Sequence, residues 1–195
     1  MYEGLRFKLM KLVIVIGGKH GTGKSTYAKA LAEEFGLRHI SAGMIFRKMA
    51  KEKKISLNEL SKIAAKDKKI DCMIDEKTKN EAAKGNVVLE GHLAGWIAND
   101  YADIKIFLTA PDSTRLKRIA KRENISIKEA RQILSLENSE KKRWEKTYEI
   151  NTGDLAIYDI ILNTGLLPID AIIKLLKGVV EEYILNHSGR QHQCQ

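Results

Sequence analysis

The sequence predicts an α/β protein built on a five-stranded parallel sheet. Three observations carry that prediction. Short apolar runs alternate with segments of helical periodicity along the 195 residues. The runs are nearly continuous in Val, Ile and Leu, as strands covered on both faces are. The first run passes directly into a glycine-rich turn and then a helical pattern, a strand–loop–helix unit.

The elements follow in order. Residues 12–16 form the first strand, and a helix follows over 25–35. Residues 38–41 are the second strand. From about 44 to 84 no strand pattern occurs, and Ser56-Leu57-Asn58-Glu59 is a capping box that starts a helix. Residues 87–89 and 104–109 are the third and fourth strands. Asp112 or Ser113, after Pro111, caps the next helix, and Ser126-Ile127-Lys128-Glu129 is a second capping box. These open another helical excursion over about 112–153. Residues 160–163 are the fifth strand. Leu167-Pro168 opens the last helix, with proline tolerated in its first turn. Its apolar stripe reads Ile172, Leu175, Leu176 and Val179.

The turn after the first strand is Gly18-Lys19-His20-Gly21-Thr22-Gly23-Lys24-Ser25-Thr26, which fits G-x-x-x-x-G-K-[ST]. This is the phosphate-binding loop of P-loop nucleotide-binding proteins. Glycines let successive backbone N–H groups face one anion. The following helix aims its N-terminal dipole at that anion. Lys24 is placed to reach the β- and γ-phosphates, and the Ser25 hydroxyl to ligate Mg²⁺. The loop therefore predicts binding of ATP or GTP.

Composition narrows the class. A hydrophobic content of 44% in 195 residues suits one domain spanning 1–195 with a core of its own. No apolar run reaches the ~18 residues of a membrane span. Residues 1–11 are too short and polar for a secretory signal, and Met10 is a candidate natural start. Cys72 and Cys194 lack metal-type spacing and suit a reduced cytosolic setting. The tail 186–195 is polar and reads as disordered.

The net charge of +9 is concentrated. Residues 47–54 carry five basic and one acidic residue, and residues 115–150 carry eleven basic and six acidic. Nucleic-acid binding is one reading of such a balance. No aromatic platform interleaves the basic residues, so two arms closing over polyphosphate is the simpler reading.

Ligands of open parallel sheets gather at the carboxyl ends of the strands. There lie Ser41-Ala42-Gly43, Glu90-Gly91-His92, Ala110-Pro111-Asp112 and Asn163-Thr164. Arg115, Arg118 and Arg122 make one helical stripe beside an apolar face. Beside a phosphate loop they suit bidentate phosphate binding and transition-state charge, with Arg118 and Arg122 preferred. Arg143 is a similar candidate. Arg47 follows a strand and can hold the phosphate of a second substrate, or stand as an ordinary exposed arginine. Glu90 can position Mg²⁺ through water, with Asp112 a competitor. His92 reads as a phosphate contact or as a structural histidine. Trp96, Trp144, Tyr148 and Tyr158 read as packing. No general base stands out. A phosphate monoester acceptor needs none, being mostly dianionic at neutral pH with a second pKa near ~6.

With these residues in place the chain resembles the nucleoside monophosphate kinases, and within them the archaeal type of cytidylate kinase. The segments that carry the resemblance are His39-Ile40-Ser41-Ala42-Gly43-Met44-Ile45-Phe46-Arg47, Val87 to Trp96, Leu108-Thr109-Ala110-Pro111, Arg118 to Glu123, Ser139 to Trp144 and Asp154 to Thr164. The resemblance implies a three-layer P-loop NTPase fold with a monophosphate-binding arm over about 44–84 and a lid over about 112–153. It implies a cytoplasmic, monomeric enzyme that moves the γ-phosphoryl group of Mg-ATP to CMP or dCMP, without a membrane or nucleic-acid partner. Lys24 and Ser25 then match the donor-phosphate site, Arg47 the acceptor-phosphate grip, Arg118, Arg122 and Arg143 the lid arginines, and Asp159 the pyrimidine site. Ser41 and His92 join the acceptor side. The chain departs from the family in carrying His92, Leu136 and Cys72 where members usually or often carry Arg. An adenylate kinase-like or other small-molecule P-loop kinase, and an ATP-dependent RNA-associated switch, are the alternatives.

Overall fold

At the centre of the sheet lies β1 (Val13–Gly18), with β3 (Val87–Glu90) on one side and β4 (Ile104–Thr109) on the other. The edges are β2 (Arg38–Ser41) against β3 and β5 (Ile160–Asn163) against β4. Every pairing is parallel, with Val13 beside Val87 and Ile14 beside Ile104. The computed structural model describes residues 11–187, apart from the side chains at positions 57, 58, 61, 62, 65 and 136. Met10, Cys194 and most of the polar tail lie outside the described residues, as does the side chain of Leu136.

Eight helices are described: α1 (Lys24–Glu34), α2 (Ala42–Glu52), α3 (Leu57–Lys66), α4 (Lys68–Ala83), α5 (Ala94–Ile97), α6 (Asp112–Glu123), α7 (Ile127–Tyr148) and α8 (Ile169–His187). Helices α1 and α8 cover one face of the sheet, where Ile14, Ile16, Ile106 and Leu108 meet Leu31, Ile172 and Leu176. The end of α4 and the short α5 cover the other, over Val13, Val15, Val87 and Leu89. The result is three layers. Each fully buried Ile or Leu contributes ~1.5–3 kcal/mol, so the two clusters dominate the stability.

The two excursions build small cores of their own. In α2, α3 and α4, Met49, Ala50, Leu60, Ala64, Ile70 and Ile74 pack together. In α6 and α7, Leu116, Ile119 and Ala130 do so. Both capping boxes form in full: Ser56 accepts from the Glu59 N–H while the Glu59 carboxylate accepts from the Ser56 N–H, and Ser126 and Glu129 repeat the arrangement.

The structure corrects several local expectations. The residue preceding α6 is Pro111, and neither Asp112 nor Ser113 caps that helix; Asp112 instead pairs with Arg115 one turn on. Asp67 accepts from the Lys69 N–H and divides the first excursion between α3 and α4. In α8 the buried stripe is Ile172, Leu176, Val180 and Ile184, and Leu175 is exposed. Only β1 and β3 are buried throughout, while Lys105 and Thr109 of β4 are half-buried. β5 alternates half-buried and exposed residues because no neighbour covers its outer side.

Candidate functional site

The phosphate loop leaves the carboxyl end of β1 and enters α1. Gly18, Gly21 and Gly23 all have positive φ, and Gly23, at +92°, is the residue before the helix. A side chain at Gly23 would meet the Tyr27 ring at 2.6 Å, and one at Gly18 the Leu108 carbonyl at 2.5 Å. Glycine is therefore demanded twice over, by backbone conformation and by space. Thr22 is buried and its hydroxyl donates to the Lys19 carbonyl at 2.8 Å, closing the loop on itself. Thr164, just past β5, donates to the Thr22 carbonyl at 2.8 Å and ties the loop to the sheet.

Lys24 folds back and donates to the Lys19 carbonyl at 2.9 Å. Enclosure by the surrounding protein lowers its pKa from about 10.5 to about 8. Glu90 and Glu137 offset part of that effect, while Arg122 and Arg115 add to it. Ser25 donates to Glu90 at 2.9 Å, and His39 lies 3.3 Å from the other Glu90 oxygen. Burial alone would raise the pKa of Glu90. Hydrogen bonds from His39 and Ser25, with the charge of Lys24, outweigh it and hold the carboxyl below its usual range. Glu90 is thus an ionised carboxylate, 3% exposed, at the loop mouth.

The three stripe arginines have three different settings. Arg115 is buried: its Nε donates to the His20 carbonyl at 2.7 Å, and its other nitrogens pair with Asp112 and Glu137. These contacts brace the loop. Arg118 donates to the Thr164 hydroxyl and carbonyl, both at 2.8 Å, and lines a cleft of about 280 Å³ with Gly23, Lys24, Ser25 and Arg122. Arg122 is exposed in that cleft and, among the described residues, pairs with its neighbour Glu123.

Helix α7 crosses the loop. Glu137 accepts the His20 N–H at 2.9 Å, and Glu140 lies 3.3 Å from His20 Nε2. Further along, Arg143 pairs with Asp71 of α4 at 3.2 Å, and Tyr148 donates to Asp75. The two helical excursions thus touch. His92, past β3, lies between His20 and Trp144, with ring centroids 4.3 and 5.3 Å away. Burial first, then Lys24, His20, Arg115 and Lys19, push its pKa well below 6.5. These effects favour the neutral form of His92. A second cavity of about 410 Å³ opens beside it, between Lys19, Trp96, Phe107, Lys141 and Trp144. Tyr158 packs edge-on to Trp96 below it, and fits only because Gly17 and Gly95 lack side chains.

Ser41 and Arg47 are close neighbours. The Ser41 hydroxyl and an Arg47 guanidinium nitrogen both lie within 3.6 Å of where a side chain at Gly43 would begin. Arg47 is exposed and has no ion pair among the described residues. Asp159 is not brought to the loop. It precedes β5, at the amino end of the sheet, and its carboxylate accepts the Lys105 N–H at 2.6 Å. With strands rising ~3.3 Å per residue, that is ~16 Å from Thr164 at the loop. Sequence reasoning passed over Glu137, Glu140 and His39. Only their partners distinguish them from ordinary surface residues, and those partners lie 51 to 120 positions away.

A model of the cytidylate kinase-like family matches residues 13–166. The chain is 47% identical to a cytidylate kinase of Staphylothermus marinus over 174 residues, 89% of this chain and 98% of that protein. It is 48% identical to a cytidylate kinase of Ignicoccus hospitalis over 169 residues, 86% and 98% of the two chains. Among solved structures, an uncharacterized protein from Eubacterium ventriosum matches with a TM-score of 0.66 at 23% identity, over 87% of this chain and 98% of that one. A shikimate kinase from Bacteroides thetaiotaomicron matches at 0.60 and 16% identity, over 87% and 98%. These structural likenesses show the fold, an α/β sheet of the P-loop kinase kind.

Proposed function

This chain belongs to the cytidylate kinase-like family, and from that premise we propose that it transfers the γ-phosphoryl group of ATP to CMP, and to dCMP, giving ADP and CDP or dCDP. The observation that carries the reading is the joining of an intact phosphate loop to a cationic cleft. Lys24, Arg118 and Arg122 face one space at the carboxyl end of β1.

The donor triphosphate lies along Gly18 to Thr26. Backbone N–H groups and the α1 dipole hold its phosphates. Lys24 neutralises charge on the β/γ bridge, and Arg118 and Arg122 stabilise the charge that spreads over the phosphoryl group in flight. Arg118 is already fixed by Thr164, so little reorganisation is needed when the substrate arrives. Helices α2 to α4 serve as the acceptor arm, with α6 and α7 as the lid. Arg47, with Ser41 beside it, grips the acceptor phosphate. The dianionic acceptor supplies its own nucleophilic oxygen, so the protein needs only to align and neutralise.

The residues present suit Mg²⁺. The Ser25 hydroxyl and the ionised Glu90 carboxylate are hard oxygen donors 2.9 Å apart at the loop mouth. Ser25 would bind the ion directly and Glu90 through water. When bound, Mg²⁺ neutralises charge on the β- and γ-phosphate oxygens.

Among the described residues no helix is long and apolar enough to cross a membrane. In this reading the enzyme acts as a cytoplasmic monomer on small nucleotides. In this reading Arg115 and Arg143 serve internal ion pairs in the unliganded protein.

The test is ADP formation across the common monophosphates. CMP is expected to support the fastest turnover, and faster turnover with AMP, with UMP or with no acceptor refutes the assignment. Arg47→Ala is expected to raise the KM for CMP at least tenfold and leave the KM for ATP within twofold. An unchanged KM for CMP would remove Arg47 from the site.

A further inference from the structure

We propose that His20, His92 and Glu140 form a binding site for one Zn²⁺ ion that ties the phosphate loop, the exit of β3 and helix α7 together. Each residue comes from a different element, and one ligating atom of each lies within 4.8 Å of the other two. Two imidazoles and a carboxylate are a zinc-type donor set, leaving a fourth position for water. The His20 Nε2 and Glu140 Oε2 atoms are already 3.3 Å apart, the spacing of two ligands on a tetrahedral ion with bonds of about 2.0–2.1 Å.

A second observation points the same way. His92 Nε2 is buried and has no hydrogen-bond partner among the described residues. An orphaned nitrogen is costly unless something fills its lone pair or takes its proton. An ion held between the three half-buried side chains would give a His92 ring nitrogen a partner.

Outer contacts hold the set in place. The His20 backbone is clamped on both sides, its N–H by Glu137 and its carbonyl by Arg115. These contacts fix the His20 backbone, from which the ring is presented. The cations Lys19, Lys24 and Arg115 face the same space and oppose a dication, while Glu137 and Glu140 offset them. An ion here would pin α7 to the loop and hinder entry of the triphosphate. That last consequence rests on the kinase reading, whereas binding does not.

The full chain is titrated with Co²⁺ at neutral pH, and then with Zn²⁺. One equivalent of Co²⁺ is expected to give visible absorption of tetrahedral strength, which Zn²⁺ abolishes. Glu140→Gln and His92→Asn should each weaken the affinity at least tenfold. Hydrogen exchange over residues 127–148 should slow with Zn²⁺ in the parent and not in Glu140→Gln. Glu140→Gln without Zn²⁺ keeps the parent circular dichroism and thermal midpoint, which separates loss of the site from loss of the fold. Absence of the bands overturns the proposal. So do bands unchanged in both variants, since the ion would then sit elsewhere, for instance on His187, His192 or Cys194. If turnover on CMP fails while the bands appear, the kinase reading falls and the metal site stands.

Discussion

Arg115, Arg118 and Arg122 are chemically identical and share one helical face, yet the structure spends each differently. Arg115 is 3% exposed and bridges the His20 carbonyl, Asp112 and Glu137. Truncating it strands the largely buried Glu137 carboxylate and releases the loop. Arg115→Ala is expected to cost about 3–5 kcal/mol in urea unfolding, the range for breaking a buried ion pair. Arg122→Ala should change stability by less than about 0.5 kcal/mol, because its pairing with Glu123 is solvent-exposed. A near-equal loss from the two would refute this division of roles. The stripe was legible from spacing alone. Its partition was not, because the partner of a charge is chosen by what the fold brings beside it. His92 makes the same point. Its position past a strand was readable; the lowering of its pKa was not, because it comes first from burial and then from Lys24, His20 and Arg115.

Element boundaries were the most legible feature, for the reason that they are local. Both capping boxes use atoms three residues apart, and both formed as the sequence predicts. Three strands, 38–41, 104–109 and 160–163, have the expected bounds. Ser126→Ala is expected to cost about 1 kcal/mol. Ser113→Ala, where no cap bond exists, should cost no more than a few tenths. Thermal unfolding of the two variants tests this, and equal losses would show that the box at α7 carries no special weight. Asp112 shows where local reasoning stops. Its position after Pro111 suits a cap, but Arg115 one turn away offers a charged partner, and the carboxylate goes there. The glycines belong to this scale too: the phosphate loop turns only where φ is positive, and three glycines supply it.

At the scale of the molecule, α7 spans from the loop to α4. Glu137 and Glu140 meet His20, Arg143 meets Asp71, and Tyr148 meets Asp75. Burial raises the pKa of Asp75 from 3.8 to about 6; the Tyr148 hydrogen bond opposes the shift and Asp71 adds to it. The folded protein therefore binds more protons than the unfolded chain between about pH 4 and 6. Stability falls as pH rises through that window, and the loss persists above it. Asp75→Asn keeps an acceptor for Tyr148 and removes the charge. It should flatten the slope between pH 4 and 6 and gain about 1–3 kcal/mol at pH 7, the upper end being the full shift converted. Urea unfolding at the two pH values checks it, and an unchanged slope would exclude Asp75 as the source. By itself the sequence determined the phosphate loop, the strands, the capped helices and the family resemblance, since each is encoded in neighbours along the chain or in linear motifs. Only the tertiary structure decided the order β2-β3-β1-β4-β5, the distance of Asp159 from the loop, the bracing role of Arg115 and the contact of α7 with α4. These depend on groups tens of residues apart meeting in a low-dielectric interior. There burial and partner choice, rather than residue type, set what a side chain does.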